Sequence, residues 1–295
     1  MAKSALLKSS ILKKYWMALT GLFLCLFLAG HLAGNLQLIL GTSLQFNEYA
    51  LFMTTNPAVK LLSYLTYVSI IFHAIDGIML TIQNKKARPI GYAKTDGSSS
   101  SFASRNMAVL GTIILVFIAT HMLNFWAKMH FDKNMPLMVK EIEVQGNKQK
   151  FYVGTQTGQY FPVEQVAKEG EKIDPMNMMQ KQFVIKNRTE LHYSQADVKT
   201  ADLYKDLYKL TVDFFQSKNK LFGVIPNEGL IFTIFYVLSM VALAFHLWHG
   251  FQSAFQSLGV NSSKITPIIK FVGKAFSIIV PLLFAIIPIF LHFKK

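Results

Sequence analysis

Five stretches of the chain stay apolar for about the 20 residues a helix needs to cross a hydrocarbon core of ~30 Å. They are Tyr15–Leu40, Ala58–Gln83, Met107–Lys128, Asn227–Ala254 and Ile265–His292. Each run is continuous rather than alternating, which favours spanning helices over barrel strands. The first is too long, and too closely followed by further spans, to be a cleaved leader. Met129–Phe222 breaks the pattern. Its first part, Lys140–Pro162, alternates polar with aromatic or branched residues around Gly146, Gly154 and Gly158, which predicts a hairpin. Its last part, Gln195–Phe215, sets Leu203, Leu207, Leu210 and Phe214 at helical spacing. The expected fold is an all-α polytopic membrane protein of five transmembrane helices. Residues 1–128 carry the N-terminus and the first three spans, 129–222 an external insert, and 223–295 the last two spans. The insert contains no functional motif; Asn187-Arg-Thr189 is a glycosylation acceptor only in a eukaryotic host.

Composition narrows the class further. Of 295 residues 52% are hydrophobic and 16% charged, against about 25% charged in soluble domains. So much apolar material excludes disorder, and a single cysteine, Cys25, excludes a disulfide scaffold. The net charge of +14 would suit a nucleic-acid binder, but the hydrophobicity does not; no nucleic-acid partner is expected. Position explains the charge. Lys3, Lys8, Lys13 and Lys14 precede the first span, and Lys85, Lys86, Arg88, Lys94 and Arg105 lie between the second and third. Lys264, Lys270 and Lys274 lie between the last two spans or at the start of the fifth. These segments share one side if the spans alternate, and the opposite loop Gly41–Pro57 has no Lys or Arg. The positive-inside rule then puts the N-terminus in the cytoplasm and the C-terminus outside. The insert, with 14 basic and 12 acidic residues, does not oppose this, because long translocated segments weigh little in the rule.

Five of the eight histidines fall well inside spans: His31, His73, His121, His246 and His249. Ionisable side chains at membrane depth are costly and mark function by default. A single one is as readily a helix-to-helix hydrogen bond, but four successive helices each supply one here. His31 lies 17 residues beyond Lys14, roughly 25 Å along a helix. His121 reaches a similar depth, 16 residues beyond Arg105. His73, 12 residues before Lys85, and His246, 19 residues after Asn227, fall in the inner half. The four sort into an outer level, His31 with His121, and an inner level, His73 with His246.

Two imidazoles facing across a bundle suit haem iron, which takes two axial ligands. Zinc wants three or four ligands at one depth, and a proton relay wants a continuous string of acids and histidines, where only Asp76 is available. Gly30, Gly34, Ala74, Gly77, Gly111, Ala119 and Gly250 would let a flat macrocycle approach the backbone, though small residues also serve helix packing. His249 competes with His246, three residues away. One of the two is an iron ligand; the other is placed to donate to a haem propionate.

At these residues the sequence resembles the five-helix, dihaem cytochrome b membrane subunit of succinate dehydrogenase and fumarate reductase. The likeness is carried by Thr20-Gly-Leu-Phe and Gly30-His31-Leu in the first span and Phe46-Asn-Glu-Tyr-Ala-Leu-Phe-Met53 in the first loop. It continues in Ile71-Phe-His73-Ala-Ile-Asp-Gly77, in Thr120-His121-Met, and in His246-Leu-Trp-His-Gly250 with Ser253-Ala-Phe and Leu258-Gly259. It touches four of the five spans in order and does not cover Met129–Phe222, which is longer than that connection usually is. The resemblance implies that the fourth ligand stands four residues before a glycine, so His246, and that helix one pairs with three and two with four. It implies two b haems and electron transfer from an iron–sulfur subunit, fed by a flavoprotein subunit, to a quinone, typically menaquinone, in a bacterial cytoplasmic membrane. Some fumarate-reducing members carry an acid two positions before the fourth ligand; Ala244 stands there, against a compensating proton path.

Asn35, Gln37 and Glu48 are the polar candidates for the quinone, with helix capping and an exposed loop acid as the alternatives. Lys14, Arg88 and Arg105 are at the right edge for haem propionates, though topology also accounts for them. Two other readings remain open: the cytochrome b subunit of a hydrogenase or formate dehydrogenase, and a haem-free anchor or transporter with structural histidines.

Overall fold

The computed structural model describes residues 10–87, 90, 101–156, 158–171, 180–221 and 223–294. Lys3, Lys8, Arg88 and Lys94, used above for orientation or propionate binding, lie outside them. Five helices are long and apolar enough to cross a membrane: Ile11–Leu40, Pro57–Ala87, Met107–Phe131, Glu228–Ser257 and Ile265–Phe293. They are spans one to five below. The protein is mostly helical and polytopic in the membrane.

The chain divides into two compact units. The first comprises the described residues of Met1–Ile39, Pro57–Thr120 and Phe215–Lys295; the second, those of Leu40–Asn56 and His121–Phe214. In the first unit, span five packs along span four, and span one packs against spans two, four and five. Cys25, Met240, Leu243 and Leu247 form the buried centre of that packing, with Phe117, Phe276 and Phe284 against them. Spans two and three are covered least: 6% of the apolar window of each is buried, against 39% in span four. Polar side chains within the spans return their hydrogen bonds to their own helix, as Thr66 does to Leu62, Thr233 to Gly229 and Ser239 to Phe235. That is how a hydroxyl is satisfied where no water competes.

The second unit is where the all-α expectation fails. Its strands are β1 (Val139–Val144), β2 (Asn147–Val153), β3 (Tyr160–Pro162), β4 (Val166–Ala167), β5 (Phe183–Lys186), β6 (Glu190–Tyr193) and β7 (Val198–Asp202). They form two sheets, ordered β1-β2-β3 and β4-β5-β6-β7. The expected hairpin is β1–β2, with Val144 opposite Asn147 and a two-residue turn. Both turn residues, Gln145 and Gly146, have positive φ, as a primed hairpin turn requires. The expected helix from Gln195 begins only at Leu207 and runs to Gln216. Residues before it are drawn into β7, and Leu203, 2% exposed, packs with Tyr152, Val166, Ile185 and Leu191 instead of on a helix face. Asp206 stops the helix from extending backward by accepting from the Lys209 amide at 2.9 Å.

The connection between spans one and two is itself a helix, Ser43–Thr55, opened by a reciprocal Thr42–Gln45 capping box. Asn47, 1% exposed, donates to Asp206 Oδ1 at 2.9 Å and accepts from the Tyr208 amide at 3.0 Å. This one amide therefore joins the loop helix to the start of Leu207–Gln216. Charges of the insert pair locally: Lys186 with Asp197 at 2.6 Å, and Lys199 with both Glu190 and Asp202. The Asn187 amide, then Lys199, hold the Glu190 carboxyl down at about 2.

Candidate functional site

Spans two and four are remote in sequence and approach each other less closely through their backbones than either does its main helical neighbour. They meet through two side chains. The His73 and His246 rings lie with centroids 6.1 Å apart and planes at 71°. Two imidazoles each bonded through one nitrogen to a shared metal at about 2.0 Å have centroids roughly 6 Å apart. The separation therefore fits the bis-imidazole site expected at the inner level.

The surroundings decide which nitrogen of His73 is available. Thr20 Oγ1 donates to the Trp16 carbonyl at 2.7 Å and lies 3.3 Å from His73 Nδ1. With its own proton committed, that hydroxyl can accept from Nδ1–H; in that tautomer the Nε2 lone pair is left for a metal. A ligating histidine whose other nitrogen donates to a fixed partner is the usual arrangement at metal sites. Across from it, His246 Nδ1 is buried and has no hydrogen-bond partner among the described residues. An orphaned buried nitrogen carries a desolvation penalty of about 1–3 kcal/mol, which only a group bonded to Nδ1 itself would relieve.

Two glycines shape the same place. A Cβ on Gly21 would come within 3.2 Å of His73 Cε1, so span one passes tightly over that ring. A Cβ on Gly111 would sit 3.9 Å from His246 Cε1, which brings span three alongside. The half-buried inner pair is thus bordered by four helices. Two imidazoles at this separation, on facing helices, are a donor set that the two open positions of a haem iron could take.

His31 belongs to the first unit. Its ring stacks on Phe27 at 5.2 Å and lies 5.8 Å from Phe284. Asn35 donates to the His31 carbonyl at 2.8 Å, and its amide stands 3.4 Å from both ring nitrogens. His121 opens the second unit, its ring 5.3 Å from Phe125. Directly after it, span three becomes π-helical over Met122–Ala127. The structure brings together the inner pair; His31 and His121 are each described within their own unit. His249 is half-buried, one turn beyond His246, beside Trp248, over whose ring Lys274 Nζ lies at 5.4 Å. Asp76 and Gln37 are half-buried, and Glu48 is exposed on the loop helix.

Sequence reasoning gave no role to Thr20, Asn47 or Asn124. Thr20 falls in a stretch that carries the resemblance, but a threonine in a membrane helix ordinarily bonds its own turn, and only the neighbouring span brings His73 beside it. Asn47 lies next to Glu48, and periodicity offers nothing to say which of the two turns inward. Among the described residues no group of three or more His, Cys, Asp or Glu side chains is placed to hold a metal ion. The chain matches no family model, no curated protein and no solved structure.

Proposed function

We propose that this chain is a dihaem cytochrome b anchor that links a soluble iron–sulfur subunit to membrane quinone, as in succinate dehydrogenase and fumarate reductase. The observation that carries the proposal is the convergence of His73 and His246, with Thr20 on one imidazole and an unpartnered Nδ1 on the other. Dicarboxylate chemistry and the flavoprotein partner come from the sequence resemblance. A haem b held there would supply a one-electron carrier inside the membrane.

The residues of the chain bind and orient. His73 and His246 would hold the inner haem iron. Thr20, 3.3 Å from His73 Nδ1, would accept that nitrogen's proton and hold the ring in the orientation that presents Nε2. Gly21 and Gly111 let spans one and three close over the imidazole edges, and the apolar packing around Leu243 and Leu247 keeps water away. His249, one turn from His246, is the propionate donor. The second pair, His31 and His121, rests on the depth argument from the sequence. Two inward-facing basic loops fit docking of soluble subunits on the cytoplasmic face of a bacterial inner membrane.

A reduced-minus-oxidised spectrum of the purified chain tests this. Two b-type components are expected; His73→Ala and His246→Ala lose one of them, and His31→Ala and His121→Ala the other. Absence of a b-type α band ends the haem reading and favours a haem-free anchor or transporter. Loss of a single component in His31→Ala and His73→Ala together breaks the pairing. Co-purification of a flavin-containing, succinate-oxidising partner, rather than a metal-containing hydrogenase or formate partner, separates the two electron-transfer readings.

A further inference from the structure

We infer that Asn124 is the side chain through which this protein hydrogen-bonds a ring carbonyl of its quinone. The inference deepens the quinone-reactive reading above. It starts from a break in span three. The helix is α from Met107 to His121, π from Met122 to Ala127, and α again from Lys128. π turns are rare and cluster at functional sites. The segment Met122-Leu-Asn-Phe-Trp-Ala127 contains no proline or glycine that would force one. Packing accompanies it instead: Phe125 against Phe214 at 5.1 Å and Trp126 stacked on His130 at 4.7 Å.

Asn124 sits inside this widened turn, three residues past His121. Its Nδ2 is shielded from solvent and has no hydrogen-bond partner among the described residues. Other polar side chains on or beside span three do not behave this way. Asn106 Nδ2 donates to the Phe102 carbonyl at 2.9 Å, and Thr120 to the carbonyls of Val116 and Phe117. A carboxamide could have turned back to its own helix in the same manner; Asn124 does not. An amide nitrogen only donates, so what is missing is an acceptor. An acceptor reached from a membrane helix between aromatic side chains is best supplied by an apolar molecule with a few polar atoms, and a quinone ring has that form. The polar candidates named from sequence are worse placed. Asn35 already donates to the His31 carbonyl, and Glu48 is exposed.

Trp126, two residues on, provides the probe. In the full chain in nanodiscs, with Trp16→Phe and Trp248→Phe leaving Trp126 as the only tryptophan, 2-methyl-1,4-naphthoquinone should quench fluorescence saturably. Asn124→Leu should weaken that binding about 5- to 10-fold, the loss of one neutral hydrogen bond, while Asn124→Gln, which keeps a donor, should lose less. Without quinone, Asn124→Leu should melt no lower than its parent, because replacing an unpaired amide by an apolar side chain removes no bond. Equal affinity in Asn124→Leu, or a lowered melting temperature without quinone, overturns the assignment. The haem spectrum of the same samples keeps the two readings apart. Asn124-dependent quenching without a b-type band sinks the cytochrome reading alone; a b-type band with Asn124-independent quenching sinks this one alone.

Discussion

A histidine that binds metal through one nitrogen depends on what holds the other. In the proposed site the group nearest His73 Nδ1 is Thr20, 3.3 Å away, and the dependence can be measured. Thr20→Val keeps the shape of the side chain and removes the acceptor for Nδ1–H. Loss of such a partner commonly costs 10–100-fold in metal affinity. Haem titration of the purified apo-chain should therefore show weakened binding of the component that His73→Ala abolishes, with the other component unchanged. Unaltered affinity in Thr20→Val would mean that His73 is oriented by something else. The histidines were legible in the sequence because an imidazole inside an apolar run is costly wherever it points. Thr20 and Asn124 were not. A short polar side chain is cheap in a helix when it bonds its own turn, so its partner is fixed by the neighbouring helix or by helix geometry, neither of which has a sequence signature.

At the scale of elements, the spans are read easily because a bilayer sets their length. The sheets of the insert are read poorly because β4 to β7 are two to five residues long, too short for alternation to stand out. The β1–β2 hairpin is the exception, since its glycine turn marks it. Junctions between elements are the least legible of all. Span four begins where the chain leaving helix Leu207–Gln216 crosses it, and a Cβ on Gly229 would lie 2.3 Å from the Phe215 carbonyl oxygen and 2.8 Å from Ser217 N. Both are backbone atoms, so no rotamer change relieves the clash. The same segment is tied to the end of span five, Gln216 donating to the Leu291 carbonyl at 3.0 Å and His292 Nδ1 lying 2.6 Å from the Phe215 carbonyl. Gly229→Ala should destabilise the protein by about 1–3 kcal/mol, as overpacking does, or displace that crossing. Gly77→Ala is the matched control, its Cβ meeting only Met17 Cε at 3.8 Å. A melting temperature that falls equally in both would show that the crossing at Gly229 is not tight.

At the scale of the whole molecule, the net charge of +14 separates into two parts with different physics. Within the insert 14 basic residues face 12 acidic ones, and several pair directly, as Lys199 does with Glu190 and Asp202. Outside it, 16 basic residues face 4 acidic ones, and 12 of those 16 fall in the three segments assigned to the cytoplasm. By the positive-inside rule that excess would keep those segments in the cytoplasm, and impermeant thiol labelling tests the orientation directly. Cys25, the only cysteine, is buried, so Cys25→Ala gives a clean background. Lys148→Cys places a thiol on β2, where the lysine side chain is 76% exposed, and Lys86→Cys places one at the exposed end of span two. Span three lies between the two positions, so one should label in intact cells and the other only after permeabilisation. The charge distribution selects Lys148→Cys as the external one. The reverse pattern would invert the orientation and move the proposed docking face outside. Labelling of both from one side would mean that Met107–Phe131 does not cross the membrane, and the pairing of His121 with His31 would fall with it.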